Sequence, residues 1–181
     1  MGHRIGPGNF RQQQRNLIMN SVITTRPISD ADRDFLLRVY ASTREEELAI
    51  VPWTREQKDQ FLRMQFTAQQ THYQEHYADA AFDILMLGEQ PIGRLYVDGG
   101  PKEIRIIDIA LLPEYRRQGF GGMLIRSLLD EAASAGKVVR IHVEHHSPAI
   151  GLYTRLGFSR ISDTGVHFLM EWAGEQDPRT T

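Results

Sequence analysis

The stretch Leu111–Ala132, LLPEYRRQGFGGMLIRSLLDEA, contains the residues best suited to binding a charged ligand. An apolar run ends at Pro113, two arginines follow, and glycines occupy positions 119, 121 and 122 before a pattern with helical spacing begins. Glycine allows close approach to the backbone, and the first N–H groups of a helix carry partial positive charge. With Arg116 and Arg117 adding charge-assisted contacts, the segment predicts a cradle for a phosphate or diphosphate.

Two common phosphate-binding motifs do not fit this stretch. A P-loop requires Gly-Lys-Ser/Thr, whereas Met123 and Leu124 follow Gly122. A dinucleotide fingerprint requires a third glycine at position 124 and a βαβ unit, whereas the strand before this turn ends a meander. A glycine-rich turn without any ligand is the remaining alternative.

Alternation and helical spacing predict the elements that position this turn. Their order is strand, two helices, a three-strand meander, helix, strand, helix and strand, which indicates an α/β sandwich with a mixed sheet. The predicted landmarks are a strand at 21–27, a helix after Ser29, a charged break at STREEEL (42–48), a long helix capped by Thr54 and Gln57 that ends near His76, a hairpin turn at 88–90, a strand at 103–112, a helix ended by Gly136, a strand at 138–144, a helix begun by Ser147 and Pro148, and a last strand at 166–172.

Length and composition bound the class of protein. The 181 residues favour one domain, which we place at residues 21–173 between a polar arm at 1–20 and a flexible tail at 174–181. A net charge of −2 argues against a general nucleic-acid binder. The chain has no cysteine, which excludes disulfides and thiolate metal sites and fits the cytoplasm. No apolar run approaches the roughly 20 residues of a membrane helix, so no membrane partner is expected.

The segment RRQGFG, Arg116 to Gly121, resembles the Arg/Gln-x-x-Gly-x-Gly/Ala motif of the GCN5-related N-acetyltransferase (GNAT) family. It follows LLPEYR, a strand end that also resembles the family. Further on, SPAIGLYTRLGF, Ser147 to Phe158, resembles the family's second signature. The resemblance covers residues 22–172. One departure is Ser147, where the family often has Asn, so a side-chain amide contact to the cofactor would be lost.

The resemblance implies a GNAT-like fold, with a mixed, mostly antiparallel sheet flanked by about four helices. It also implies an N-acetyltransferase that moves an acetyl group from acetyl-CoA to a primary amine by direct attack. The strand end would pair with the pantetheine arm and the glycine turn would bind the diphosphate. The cofactor-binding residues implied are Ala110, Leu111, Leu112, Arg116, Arg117, Gln118, Gly119, Phe120, Gly121, Gly122, Ser147 and Tyr153.

Direct attack requires proton transfer, because an alkyl amine with a pKa of about 10 is almost fully protonated at neutral pH. The resemblance places Tyr153 beside the cofactor sulfur as general acid. For the base, His142 is one candidate and Asp108 is another, although Asp108 could instead orient His142 or form a structural ion pair. Glu144 is a third candidate.

A metal site is not expected, although His142, Glu144 and His146 alternate on one strand face. Residues on one face lie about 7 Å apart along a strand, whereas metal ligands lie about 2 Å from the ion.

The acceptor side is predicted in REEELAIVPW, residues 44–53, which this family often uses to line its acceptor groove. Glu45 and Glu47 would hold a cationic amine of a small molecule or peptide, and Trp53 would pack on it. A solvated acidic loop is the alternative. Two non-enzymatic alternatives share the fold, namely an acyl-CoA-binding sensor and an interaction module. The acyl chain, the acceptor and the presence of a homodimer are left open.

Overall fold

The computed structural model describes residues 23–174, so the predicted arm at 1–20 and almost all of the predicted tail lie outside the described residues. Two short 3₁₀ turns, Asp30–Asp32 and Pro113–Tyr115, accompany the regular elements. In chain order these elements are β1 Ile23–Pro27, α1 Arg33–Thr43, α2 Glu45–Ala49, α3 Arg55–His76, β2 Ala81–Leu87, β3 Gln90–Gly99, β4 Glu103–Leu111, α4 Phe120–Ala135, β5 Val138–Glu144, α5 Ile150–Arg155, β6 Ser159–Asp163 and β7 His167–Trp172.

The described strands form one seven-stranded sheet in the order β1-β2-β3-β4-β5-β7-β6. Every neighbouring pair is antiparallel except β4 and β5, which run parallel and are connected through α4. The predicted mixed, mostly antiparallel sheet is therefore confirmed.

Helices cover both faces of the sheet. On one face, called the α4 face, a core forms between the strands and residues that include Ile125 and Leu129 of α4 and Tyr153 of α5. On the other, called the α3 face, Tyr40 of α1 and Phe66 of α3 pack over β2 and β3. The α3 face stays open over the end of β5, where His142 and Glu144 are exposed.

The local signals for the long helix and for α4 are confirmed. Thr54 and Gln57 form the predicted capping box, since the Gln57 N–H donates to Thr54 Oγ1 at 3.3 Å and the Thr54 N–H donates to Gln57 Oε1 at 2.9 Å. Helix α3 ends at His76 as expected. Gly136 ends α4 with φ of 63°, a left-handed conformation that favours glycine.

The prediction of a charged break at STREEEL is wrong, because Glu45–Ala49 forms α2. All three glutamates lie in its first turn, where carboxylates are favourable near the positive end of a helix. Leu48 is buried and anchors the helix, which a reading of charge alone does not reveal.

Two further predictions need correction near the C-terminal end. Helix α5 begins at Ile150 after an Ala149 cap, not at Ser147 and Pro148, because the Ile150 N–H donates to the Ser147 carbonyl in a separate turn. Strand β6 was not predicted. All five of its residues are exposed at the sheet edge, so the apolar alternation that marks a strand is missing. No helix among residues 23–174 is long and apolar enough to span a membrane.

Candidate functional site

The sheet opens between its two parallel strands. Residues Glu103–Ile106 of β4 pair with Val138–Ile141 of β5. Beyond these four pairs, β4 and β5 continue but no longer pair with each other in the described structure. We call Ile107–Leu111 the β4 arm and His142–Glu144 the β5 arm. Because backbone groups of the β4 arm that face β5 have no strand partner, an extended ligand can pair with them.

A β-bulge at Ile107 shapes the β4 arm. Asp108 pairs with Tyr96 whereas Ile106 pairs with Val97, so Ile107 is an extra residue. Ile106 belongs to the core of the α4 face, but Ile107 packs in the cluster of the α3 face. The bulge thus turns Asp108 toward the α3 face, whereas unbroken alternation would place it on the side of Ile106.

Asp108 forms a buried ion pair there. The Arg94 guanidinium donates from Nε to Asp108 Oδ1 at 3.1 Å and from NH2 to Oδ2 at 2.9 Å, and the Tyr73 hydroxyl donates to Oδ2 at 3.1 Å. The side chain of Arg94 is only 2% exposed. Burial, followed by the charge of Asp108, raises the pKa of Tyr73, which keeps its hydroxyl a donor. The partner of Asp108 is therefore Arg94, and not His142.

Tyr153 lies in the core of the α4 face and is 3% exposed. Its ring packs edge-to-face on Phe158 with the ring centroids 5.4 Å apart. Burial raises the pKa of its hydroxyl, and the negative charge of Asp108 raises it further. The hydroxyl therefore stays protonated at neutral pH.

His142 lies on the open part of the α3 face, on the β5 arm. Its Nδ1 is 3.4 Å from NH1 of Arg105. Burial and the charges of Arg105 and His167 lower its pKa below 6.5, so the imidazole is neutral at neutral pH. Because arginine can only donate, Nδ1 accepts in this contact and the ring hydrogen lies on Nε2. His142 can take up a proton at Nδ1 only when the contact with Arg105 opens.

The glycine segment forms an open helix N-terminus directly after the β4 arm. Gly119 is the N-cap of α4 with φ of 91°, it has no side-chain cap, and the first turn holds no acidic residue. A Cβ on Gly119 would have no heavy atom within 4 Å, and one on Gly121 would meet only Leu152, at 3.7 Å. The first N–H groups of α4 have no intrahelical partner, so this end can bind an anion.

The two arginines before the glycines differ in their environment. Nε of Arg116 donates to the Leu111 carbonyl at 2.7 Å, and NH2 donates to Ser42 Oγ at 2.7 Å. Arg117 is exposed and adopts a left-handed backbone conformation with φ of 59°. Arg117 is thus free to reach an anion at the helix end, whereas the guanidinium of Arg116, predicted to contact the cofactor, bonds to Leu111 and Ser42 instead.

Comparison with known protein families shows which family this chain belongs to. The model of the acetyltransferase (GNAT) family matches residues 38–158, which include both arms, the glycine turn and α5. The chain belongs to the GNAT acetyltransferase family. A search of curated protein sequences finds no match.

Solved GNAT-type structures share the fold at low sequence identity. The PaiA N-acetyltransferase from Thermoplasma acidophilum, solved with coenzyme A, has a TM-score of 0.64 and 19% identity, and the match covers 84% of this chain and 99% of that one. An acetyltransferase from Thermus thermophilus has a TM-score of 0.56 and 20% identity, covering 83% and 96%. Ard1 from Thermoplasma volcanium has a TM-score of 0.54 and 18% identity, again covering 83% and 96%.

In this GNAT chain most of the predicted cofactor residues follow one another along the end of β4, the glycine turn and the start of α4. Ala110 and Leu111 lie on the β4 arm, Leu112 follows them, and residues 116–122 form the turn and the first residues of α4. Gly121 and Gly122 adjoin Leu152 of α5, the neighbour of Tyr153. Ser147 lies in the turn before α5, where its Oγ accepts from the Ala149 N–H at 3.3 Å.

The predicted acceptor residues of the GNAT chain fall into two groups. Glu45 and Glu47 lie on α2, and Glu47 Oε1 is 3.0 Å from NH1 of Arg44. Trp53 is 42% exposed and stacks edgewise on Phe61, with the ring centroids 5.2 Å apart. Trp53 and Phe61 line an open groove of about 390 Å³ together with Gln57, Gln60 and Met64.

Sequence reasoning missed the arginines of this GNAT site. Arg94 is a lone arginine in the apolar strand PIGRLYV, which is a signal for a buried partner such as Asp108. Arg44 and Arg105 have no such signal, because they stand in charged or alternating segments where arginine is ordinary.

Proposed function

We propose that this protein is an acetyl-CoA-dependent N-acetyltransferase that acts on a primary amine. The observation that carries the proposal is the gap between the arms, which has no strand pairing in the described residues and whose β4 side continues along the chain into the uncapped N-terminus of α4. Membership in the GNAT family supports acyl transfer in general. The coenzyme A in the PaiA N-acetyltransferase supports the choice of donor.

The residues of the cradle fit the anionic part of coenzyme A. The N–H groups of residues 119–122 and the guanidinium of Arg117 would hold the diphosphate, and no side chain blocks the approach at Gly119. The backbone of Ala110 and Leu111 would pair with the pantetheine arm. When bound, acetyl-CoA supplies the activated acyl group as a thioester.

Tyr153 serves in this proposal as a proton donor on the sulfur side. A buried phenol with a raised pKa is always protonated near neutral pH, so the O–H is available at every turnover. The same shift weakens Tyr153 as an acid. It therefore acts first as a hydrogen-bond donor to developing negative charge and gives up its proton only late in the reaction.

His142 is the base that we propose for the amine. It is exposed on the α3 face, beside the gap, and neutral at neutral pH. Asp108 already accepts from Arg94 and Tyr73, so taking up a proton would disrupt those bonds. In this role Asp108 sets the local charge near Tyr153 and is not itself the base.

The acceptor would approach from the open α3 face. Glu45 and Glu47 favour a cationic amine of a small molecule or peptide, and Trp53 offers an aromatic surface to it. All three residues are exposed, so they are accessible to such an acceptor.

Calorimetry with acetyl-CoA tests the cradle. We expect the wild type to bind in the micromolar range and Gly119→Asp to lose binding, because a carboxylate would occupy and repel the phosphate site. Gly136→Asp is the matched control, since Gly136 lies at the opposite end of α4, also with positive φ and with no heavy atom within 4 Å of an added Cβ. Equal binding by both variants would contradict the proposed site.

A non-catalytic acyl-CoA sensor is the second candidate, and one observation favours it. Each candidate base is already engaged by an arginine: Asp108 by Arg94, His142 by Arg105 and Glu144 by Arg44. Free-thiol release across a panel of amines distinguishes the two functions, because a sensor would bind acetyl-CoA without turnover on any amine.

A further inference from the structure

The C-terminal end of α1 contacts both arms of the open sheet. On one side, Ser42 accepts from Arg116 through Oγ at 2.7 Å and through its carbonyl at 3.2 Å, while Arg116 also holds the carbonyl of Leu111 at the end of the β4 arm. On the other side, NH1 of Arg44 lies 3.2 Å from Oε1 of Glu144 at the end of the β5 arm. Two positions of one helix end thus connect the two arms.

Helix α1 is well suited to act as a fixed support. Leu36, Val39 and Tyr40 are all buried, at 4%, 0% and 4% exposure, and Val39 packs directly against Ala110 and Leu112. Such packing leaves little freedom for the helix end. The position of Arg44 relative to the β4 arm is therefore determined by the core.

The environment of Arg44 strengthens its bond to Glu144. Its side chain is 27% exposed, and its guanidinium lies 5.8 Å from the centre of the Tyr40 ring. Burial alone lowers the pKa of Arg44, but the charges of Glu144 and Glu47 outweigh it and the net pKa is raised. The Arg44 side chain is largely covered, but that of Glu144 is 47% exposed, so salt screens this ion pair in part.

The arms need such a connection because, within residues 23–174, no backbone pairing joins them beyond Ile106 and Ile141. Their separation fixes the width of the gap that an extended ligand must enter. A gap held at the right width in advance spares the ligand the free-energy cost of ordering it.

We propose that Arg44 is a positioning residue that, together with Arg116, braces the β4 and β5 arms at a fixed separation and so preorganises the gap for the pantetheine arm of the acyl donor. The inference rests on the proposed use of coenzyme A. Arg44 touches neither the diphosphate cradle nor the reacting atoms. Its effect reaches the ligand only through Glu144 and the β5 arm.

The test compares two ligands that share the diphosphate. Coenzyme A occupies both the cradle and the gap, whereas ADP carries a diphosphate but no pantetheine arm. For Arg44→Gln in the full chain we expect coenzyme A to bind about fivefold more weakly by calorimetry, the upper end of the effect of losing one ion pair with an exposed partner. ADP affinity should stay within about twofold, which also reports that the variant is folded.

Two further variants separate bracing from a general loss of structure. Glu144→Gln should reproduce the selective loss, and the double variant Arg44→Gln, Glu144→Gln should be no weaker than either single one, because both remove the same bond. Arg33→Gln, on the same helix with only an exposed contact to Thr67, should leave both ligands unaffected.

The possible failures are distinguishable. If the wild type does not bind coenzyme A, the proposed function fails and the brace fails with it. If the wild type binds coenzyme A but Arg44→Gln weakens it and ADP equally, or weakens neither, the proposed function stands and the brace is refuted.

Discussion

The hydroxyl of Tyr153 is the group on which the proposed chemistry depends most. It forms no hydrogen bond to another residue of the described chain, and its raised pKa is caused by burial and then by Asp108. The hydroxyl is therefore free to serve a ligand, while the ring serves the core through its contact with Phe158.

We expect Tyr153→Phe to separate these two roles. The ring and its packing remain, so the melting temperature and the affinity for acetyl-CoA should change little. The rate of free-thiol release should fall by about 100-fold, at the lower end for loss of a general acid. Tyr77→Phe, at the C-terminal end of α3, removes a tyrosine hydroxyl to which no role is assigned here and serves as the control. An unchanged rate in Tyr153→Phe would remove the residue from the mechanism.

The pH dependence of the reaction reports on His142. Its pKa is lowered by burial and by the charges of Arg105 and His167, so we expect kcat/KM to fall on the acidic side at lower pH than an unperturbed histidine would give, as His142 becomes protonated. The unfolded chain binds this proton more readily than the folded one, so the contribution of His142 to stability is also lost as the pH falls through that range.

Arg105→Gln should move the acidic limb to higher pH, because it removes a positive charge that lowers the pKa of His142. Arg63→Gln, exposed on α3, controls for the loss of one charge. If the acidic fall of kcat/KM occurs at the same pH in Arg105→Gln, or is still present in His142→Gln, a group other than His142 titrates.

At the level of the elements, β3 and β4 approach each other unusually closely beside the gap. A Cβ on Gly93 would overlap the carbonyl oxygen of Ala110 and lie 3.0 Å from Cα of Leu111. These are backbone atoms of the β4 arm, so they cannot move aside as the end of a flexible side chain would.

Gly93→Ala should therefore destabilise the protein by about 3 kcal/mol, the upper part of the range for overpacking. Gly99→Ala, at the other end of the same strand and with no heavy atom within 4 Å of its Cβ, should change the free energy of unfolding by less than about 0.5 kcal/mol. Urea unfolding measures both, and similar values for the two variants would argue against the close approach.

The sequence predicted those elements whose signals are local. The capping box at Thr54, the left-handed Gly136 and the strand–turn–helix around Gly119 each depend on a few adjacent residues, and each appears as expected. Strand β6 and helix α2 were missed because their residues are mostly exposed, so periodicity does not distinguish them from loops.

Features of the site that depend on neighbouring residues in the sequence could be predicted, whereas contacts between residues far apart in the sequence could not. Motif resemblance proposes cofactor residues and Tyr153 because the motif residues lie close together in the sequence, and those roles stay predictions. The pairing of Asp108 with Arg94 depends on a bulge that shifts the face of one strand, and the contact of Arg44 with Glu144 joins residues 100 positions apart in the chain. A lone charge in an apolar strand signals that Arg94 and Asp108 each need a partner but does not say which one, and the contact of Arg44 with Glu144 leaves no such signal.

At the scale of the whole sheet, the gap separates β1–β4 from β5–β7, and the described residues of these two halves share four residue pairs. A ligand that forms hydrogen bonds with the β4 arm and packs against β5 would connect the two halves of the sheet. Its arrival would slow amide hydrogen exchange on both sides of the gap at once. Such a ligand would then stabilise the fold as well as take part in the proposed reaction. Its depletion would lower the free energy of unfolding of this protein.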